Sequence, residues 1–348
     1  MSQASSNRYA WAEPGVEDLG GGVFRIPLPL GMDALRAVNI YAITDAEGVD
    51  LIDGGMALVE AREQLTRGLR QIGCELGDIR NFFVTHVHID HYSLAVELRK
   101  TLHNVVALGE QERANLVALR EVRTQIGHGF GGDLHRLGAA EIAPTLAEAP
   151  HPAAHAFTAW EDPDRWLGDQ AELDLRSRTL TAYHTPGHTR GHVIFHDPAA
   201  GIMFAGDHVL PHITPSIGFE SAPTRLALGN YLSSLRRTLS LPDARLLPAH
   251  GPVTGSTHER VNELLAHHDL RLAEMHQAVL TGLSTAYEVA KAIKWTRSQR
   301  LFSELDVQSQ FLAVNETGAH LEVLTVRGEL TCKTSDDGID YYESAVAS

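Results

Sequence analysis

The chain reads as an α/β protein with a helical insertion and a small C-terminal domain, on three observations. Short β-type runs alternate with helix-type stretches between residues 23 and 249. Several of those runs empty directly into histidine or aspartate. From residue 258 onward the rhythm changes to amphipathic helices closed by a hairpin pattern. At 348 residues the chain exceeds the usual size of one domain. The expected division is a large domain over 1 to 257, with an insertion at 110 to 170, and a small domain over 258 to 348.

In chain order, residues 1 to about 15 read as a loose lead-in. Val23 to Leu28, Asn39 to Ile43 and Val49 to Ile52 are expected to be short antiparallel strands, the last two joined by the turn Asp45-Ala46-Glu47-Gly48. Asp53-Gly54-Gly55 ends the third. Leu58, Leu65, Leu69 and Ile72 fall at helical spacing, and Gly73 stops that helix. Phe82-Phe83-Val84 is the next strand, Leu94 to Leu102 a helix and Val105 to Leu108 a further strand. In the insertion, 112 to 126 is helix-like, 127 to 132 is a Gly-rich break, and 139 to 159 is rich in Ala, Pro and His. It is expected to be largely helical and to lie over the mouth of a site.

Strands return at Thr179 to His184, His192 to Phe195, Ile202 to Ala205 and Arg245 to Ala249. Beyond Gly251-Pro252, an amphipathic helix spans His258 to Leu280 and Gly282 stops it. Thr285-Ala286-Tyr287-Glu288 is a capping box opening a second helix, and Val307 to Val326 is a third. Leu330 to Tyr342, broken at Asp336-Asp337-Gly338, is a hairpin. Helices followed by a hairpin predict a winged-helix-like domain. Residues 258 to 348 carry 8 Lys+Arg against 14 Asp+Glu, so packing or covering the site is expected of it rather than DNA contact.

The chemistry concentrates in Thr85-His86-Val87-His88-Ile89-Asp90-His91. With 20 His and 20 Asp in the chain, H-x-H-x-D-H would arise by composition alone with a probability of about 0.4 per cent. A lone histidine is usually a hydrogen-bonded core or surface residue, but this clustering points to metal ligation. If the strand ran on to His88, His86 and His88 would share one face and one ion, with Asp90 and His91 on a turn serving a second. His188 in Pro186-Gly187-His188, Asp207 in Ala205-Gly206-Asp207 and His250 in Pro248-Ala249-His250-Gly251 each follow a strand and supply further donors. His and carboxylate donors favour zinc, with iron or manganese as alternatives.

Composition narrows the function. A formal charge of −15 disfavours nucleic acid and anionic membrane as general partners. No run approaches the length of a membrane span, and Met1 to Tyr9 lacks the apolar core of a secretion signal. Cys74 and Cys332, far apart, fit a reducing compartment. A cytoplasmic location is the resulting expectation; the oligomeric state is not readable. There is no G-x-S-x-G, and neither Cys has a recognisable catalytic context.

The run T-H-V-H-I-D-H, followed in order by P-G-H-T-R-G-H, F-A-G-D and P-A-H-G and preceded by L-I-D-G-G at 51 to 55, resembles the metallo-β-lactamase fold hydrolase superfamily. The likeness covers about residues 20 to 255. It is greatest to the glyoxalase II-like two-metal branch, and the C-terminal domain looks like that of the β-lactamase-like protein 2 group. The resemblance implies an αββα sandwich with ligands on loops along one edge. By motif, His86, His88 and His188 would bind one divalent ion, Asp90, His91 and His250 the other, with Asp207 bridging. Asp90 and Asp207 would be the catalytic carboxylates.

True β-lactamases of this superfamily lack an aspartate at the Asp207 position, which argues against antibiotic hydrolysis. Tyr92-Ser93 stands where many relatives have small glycines, and Asp53-Gly54-Gly55 replaces the commoner D-T-G. The implied activity is cleavage of an ester, thioester or lactone of a small or acyl substrate by a hydroxide held between two metals. A phosphodiesterase or ribonuclease on the same ions, and an iron redox enzyme, are the alternatives. Asp53 is expected to accept from a ligating ring; His192 and His208 are expected to support or line the pocket. Arg190, Tyr183 and Tyr231 are further candidates near the site.

Overall fold

The computed structural model describes residues 9–31, 35–124, 134–148, 160–217, 220–222 and 224–345. Two sheets lie face to face. The first has seven strands in sequence order: β1 (Glu17–Gly20), β2 (Val23–Pro29), β3 (Ala37–Asp45), β4 (Gly48–Ile52), β5 (Ile79–Val84), β6 (Val105–Gly109) and β7 (Arg165–Leu167). Neighbours pair antiparallel up to β4, with Tyr41 opposite Ile52, and parallel from there to β7. The change follows from the connections: short turns join antiparallel strands, whereas parallel strands need a crossover. Here α1 (Val59–Gln71) links β4 to β5, and α2 (Ile89–Leu102) links β5 to β6.

The chain then runs through α3 (Arg113–Thr124) and α4 (Ala143–Glu148) before β7. The second sheet has the order β12-β11-β10-β9-β8, built from β8 (Ala171–Leu175), β9 (Arg178–His184), β10 (Val193–Asp197), β11 (Ile202–Gly206) and β12 (Arg245–Pro248). Only β11 and β12 pair parallel, and α5 (Ala227–Ser240) is their crossover. The C-terminal part is α6 (Thr257–Leu280), α7 (Ala286–Ala292), α8 (Val307–Val326) and the hairpin β13 (Leu330–Thr334) with β14 (Asp340–Ser344).

Apolar burial fixes the layers. Tyr41 and Phe83 of the first sheet meet Phe204 and Phe195 of the second, at ring centroid distances of 5.4 Å and 6.2 Å, in the seam between the sheets. Leu65, Leu69, Leu94 and Leu98 bury the outer face of the first sheet. Leu228, Leu232 and Leu235 of α5 join Leu264, Leu272, Val314 and Leu321 in one cluster, with Ala205 and Leu246 of the second sheet. The molecule is therefore a helix/sheet/sheet/helix sandwich, with the C-terminal helices continuing its outer layer. The capping box at Thr285 and Glu288 is present, with Thr285 Oγ1 accepting from Glu288 N–H at 3.2 Å and Glu288 Oε2 from Thr285 N–H at 3.1 Å.

Three expectations need correction. β5 does not continue to His88: it ends at Val84, and Asp90 and His91 occupy the first turn of α2 rather than a free turn. The 110 to 170 stretch is not wholly helical, since β7 completes the first sheet. No helix was expected at 227 to 240, where α5 stands. The Gly-rich break at 127 to 132 lies outside the described residues, as does most of 139 to 159. The stretch of the insertion around Arg136 and Leu137 docks on the C-terminal part: Tyr287 N–H donates to Leu137 O at 3.1 Å and Asp340 N–H to Arg136 O at 2.9 Å. Among the described residues no helix is long and apolar enough to cross a membrane.

Candidate metal centre

Both sheets deliver side chains to one end of their seam. The loop after β5 carries His86 and His88, the first turn of α2 carries Asp90 and His91, and the loops after β9, β11 and β12 carry His188, Asp207 and His250. All seven sequence-predicted ligands come together. His86 Nε2 is 2.9 Å from His88 Nδ1, and His188 Nε2 is 3.2 Å from the first and 2.9 Å from the second. Beside this set, Asp90 Oδ2 lies 3.6 Å from His91 Nε2 and 3.4 Å from His250 Nε2. Asp207 faces both: Oδ1 is 3.4 Å from His250 Nε2 and 3.7 Å from His91 Nε2, while Oδ2 is 3.4 Å from His188 Nε2. Three groups of donor atoms within 4.8 Å of one another can hold a metal: His86/His88/His188, His86/His91/Asp207 and Asp90/His91/His250.

The far side of each ring shows which nitrogen is free to ligate. His188 Nδ1 donates to Ser216 O and His250 Nδ1 to Ala37 O, both at 2.8 Å, and His91 Nδ1 donates to Asp53 Oδ2 at 2.9 Å. Thr85 Oγ1 donates to Asp53 Oδ1 at 2.9 Å, so it accepts from His86 Nδ1 at 3.1 Å. With a proton fixed on Nδ1, each of these four rings turns its Nε2 inward, the atom a metal ligand would use. His91 Nε2, His250 Nε2 and Asp207 Oδ1 are buried and have no hydrogen-bond partner. Buried polar atoms left unpaired cost about 1–3 kcal/mol each, and three converging on one point fit a cation there.

Charge divides the site into two halves. Burial and the neighbouring imidazoles hold His88 down at about 3 and His86 well below the ordinary range, and burial holds His188 at about 4. That half is a neutral nitrogen set. In the other half burial also opposes a charged His91, but the carboxylates of Asp53, Asp90 and Asp207 outweigh it and keep the ring up at about 10. Asp207 and Asp90 likewise raise His250 against burial, and His91 and His250 draw Asp90 well below its usual range despite burial.

The remaining candidates support the site from outside. Asp53 accepts from Thr85 N–H at 2.8 Å as well as from His91, in a left-handed conformation with φ of 63°. His192 Nε2 accepts from Asp207 N–H at 3.1 Å and so fixes the end of β11. His208 Nε2 donates to Thr238 Oγ1 at 3.0 Å. Tyr231 is fully buried and donates to His208 O at 2.9 Å, which places it in the wall and not among groups open to a substrate. Tyr183 lies under the Arg237 guanidinium, 5.5 Å from the ring centroid. Arg190 contributes its backbone, its carbonyl accepting from His184 Nε2 at 2.7 Å.

Sequence reasoning missed Asn39, whose Nδ2 donates to Pro248 O at 2.9 Å and Gly251 O at 2.8 Å and so holds the His250 loop. It also missed Glu112, a buried carboxyl that burial pushes up to about 7 against hydrogen bonds from Thr189 and Asn115. Neither lies in a motif that marks it.

Fold and site together define a candidate metal centre at the edge of an αββα sandwich. The model of the metallo-beta-lactamase superfamily matches residues 33–250, and the chain belongs to that family. Probable metallo-hydrolase YqjP of Bacillus subtilis is 22% identical over 88% of the chain and 92% of its own length. Acyl-coenzyme A thioesterase MBLAC2 of Homo sapiens is 24% identical over 81% and 96%. A metallo-beta-lactamase family protein of Thermus thermophilus, TTHA1429, superposes with a TM-score of 0.75 at 26% identity, covering 94% of this chain and 100% of that one.

Proposed function

We propose that the chain is a dinuclear metal-dependent hydrolase of esters, thioesters or lactones, of the glyoxalase II-like type, with 1 to 257 catalytic and 258 to 348 a winged-helix-like domain. The observation that carries this reading is Asp207, whose two oxygens face different donor sets. His86, His88 and His188 would hold one ion, Asp90, His91 and His250 the other, and Asp207 both; zinc suits these donors. Two such ions supply a nucleophilic water at neutral pH and a Lewis acid for a carbonyl oxygen.

The chain's own residues do the rest. Asp53, Ser216 O and Ala37 O keep the rings in the ligating tautomer. Asp90 and Asp207 bring carboxylate charge against His91 and His250, and with a water activated by such ions no dedicated side-chain base would be required. A thioester or other acyl substrate is favoured by the near full-length similarity to a protein named as an acyl-coenzyme A thioesterase.

Metal analysis of the purified chain, followed by acyl-CoA, glutathione thioester, lactone, nitrophenyl ester and phosphodiester substrates, tests the reading. About two metal ions per chain and turnover of an acyl substrate are expected, with activity abolished by chelation. Asp207→Ala is expected to lose activity and metal together. Unchanged turnover in that variant refutes the bridging assignment, and turnover of the phosphodiester alone refutes the substrate class.

A further inference from the structure

We propose that Glu112 is a positioning residue for the His86, His88 and His188 set, one buried carboxylate fastening together the two loops that carry those rings. The inference rests on the two-cation reading above. The two loops come from different sheets, one after β5 and one after β9, and the backbone bond that joins them, Val193 N–H to Thr85 O at 2.8 Å, lies at their bases and not at the ligating residues. Glu112 spans them. The N–H of Val87, the residue between His86 and His88, bears on its carboxylate and favours the charged form. Its Oε1 accepts from Thr189 Oγ1, the residue directly after His188. Oε2 accepts from Asn115 Nδ2 at 2.7 Å.

A second layer backs this contact. Asn115 Nδ2 also donates to Glu220 Oε2 at 3.0 Å, and the same oxygen accepts from Arg190 N–H at 2.9 Å, two residues beyond His188. Asn115 Oδ1 accepts from Ala222 N–H at 3.0 Å. Glu112, Asn115 and Thr189 are all buried. Backbone packing has been cleared for the contact: a Cβ on Gly191 would lie 2.2 Å from Glu112 N, and one on Gly109 would lie 2.1 Å from Gly191 O. Only glycine lets the corner after β6 come this close to the loop bearing His188. Asp90, His91 and His250 receive no hydrogen bond from Glu112, so its effect should fall on one donor set.

The test is zinc titration of the stripped full-length chain against a chromophoric chelator, with occupancy at each donor set read from anomalous diffraction. Removal of a partner that orients ligands commonly costs about 10–100-fold in metal affinity. Glu112→Ala should retain one zinc at wild-type affinity and bind the other about 10–100-fold more weakly, with the loss at His86, His88 and His188. Glu112→Gln, whose amide can accept from one donor and donate to Thr189 Oγ1, should recover most of it.

A merely structural role would weaken both sets alike, and that result overturns the proposal. So does Glu112→Ala with two zinc ions bound at wild-type affinity. Should Glu112→Ala fail to fold, Thr189→Val carries the test: it removes one donor at constant shape, and a smaller loss confined to the same set is expected. Equal affinities in Thr189→Val and wild type then overturn the proposal. Wild-type protein that takes up no zinc overturns the two-cation reading and this one together; two zinc ions bound equally tightly in both wild type and Glu112→Ala overturn this one alone.

Discussion

Ring orientation at the site is set from behind each histidine, and Asp53 shows how one carboxylate can set two. Its oxygens accept from His91 Nδ1 and from Thr85, whose hydroxyl in turn accepts from His86 Nδ1. Asp53→Ala would free His91 to rotate and to change tautomer. Affinity for the cation at Asp90, His91 and His250 is expected to fall about 10–100-fold, more than at the other set, in a competitive chelator titration. Asp53→Asn keeps a residue that tolerates the left-handed backbone at φ 63° and so separates the lost acceptor from strain. The seven donors and Asp53 were legible because each is a side chain of telling type in a motif. Ser216 O and Ala37 O were not, because a backbone carbonyl leaves no mark in the sequence. Glu112 was equally silent, 77 residues in sequence from Thr189.

At the scale of elements, the periodic segments were legible and the places where ligands leave them were not. The expected bounds of the third C-terminal helix are those of α8, and the β2, β3 and β4 strands fall where alternation put them. β5 stops at Val84 because the Thr85 backbone turns to other partners: its N–H donates to Asp53 Oδ1 and its carbonyl accepts from Val193 N–H, both at 2.8 Å. Residue order alone does not reveal such a neighbour. α5 carries apolar residues at 228, 231, 232 and 235, the helical spacing, but it starts from Leu226 in a left-handed conformation without a side-chain cap, so no start signal announces it. Its Tyr231 packs on the loop that bears His188. A Cβ on Gly187, at φ 146°, would lie 2.4 Å from Tyr231 Cβ and 2.5 Å from its Cα. Gly187→Ala is therefore expected to cost about 2–4 kcal/mol in urea unfolding. Gly201→Ala, at φ 62° with nothing within 4 Å, should cost only about 1 kcal/mol, the left-handed region being open to an alanine where no neighbour crowds it.

Across the whole molecule, the sandwich was legible from the strand rhythm and the resemblance, while the union of the C-terminal helices with its outer layer was not, since one apolar cluster gathers residues from 134 to 342. That union buries a histidine pair. His268 Nδ1 lies 3.2 Å from His320 Nε2, and His320 Nδ1 donates to Glu316 O at 2.7 Å, so His268 Nδ1 must donate to His320 and its own Nε2 is left unpaired. Burial holds these rings at about 2 and about 3, with Arg271 and His267 adding to the effect. Free histidine titrates near 6.5. Above that pH both states are neutral and the packing contributes in full. Below it the unfolded chain takes up protons that the folded pair refuses, so stability falls by about 1.4 kcal/mol per pH unit for each ring. Glu316, whose carboxyl burial holds up, gains its proton earlier in the folded state and offsets part of this loss. Unfolding free energy measured from pH 7.5 to 5 should drop steeply in the wild type. In the double variant His268→Gln, His320→Gln the slope should be shallower by about 2.7 kcal/mol per pH unit well below pH 6.5. The histidines of the candidate metal centre are the same in both proteins, so equal slopes would mean that the pair is already protonated, or exposed, in the folded state.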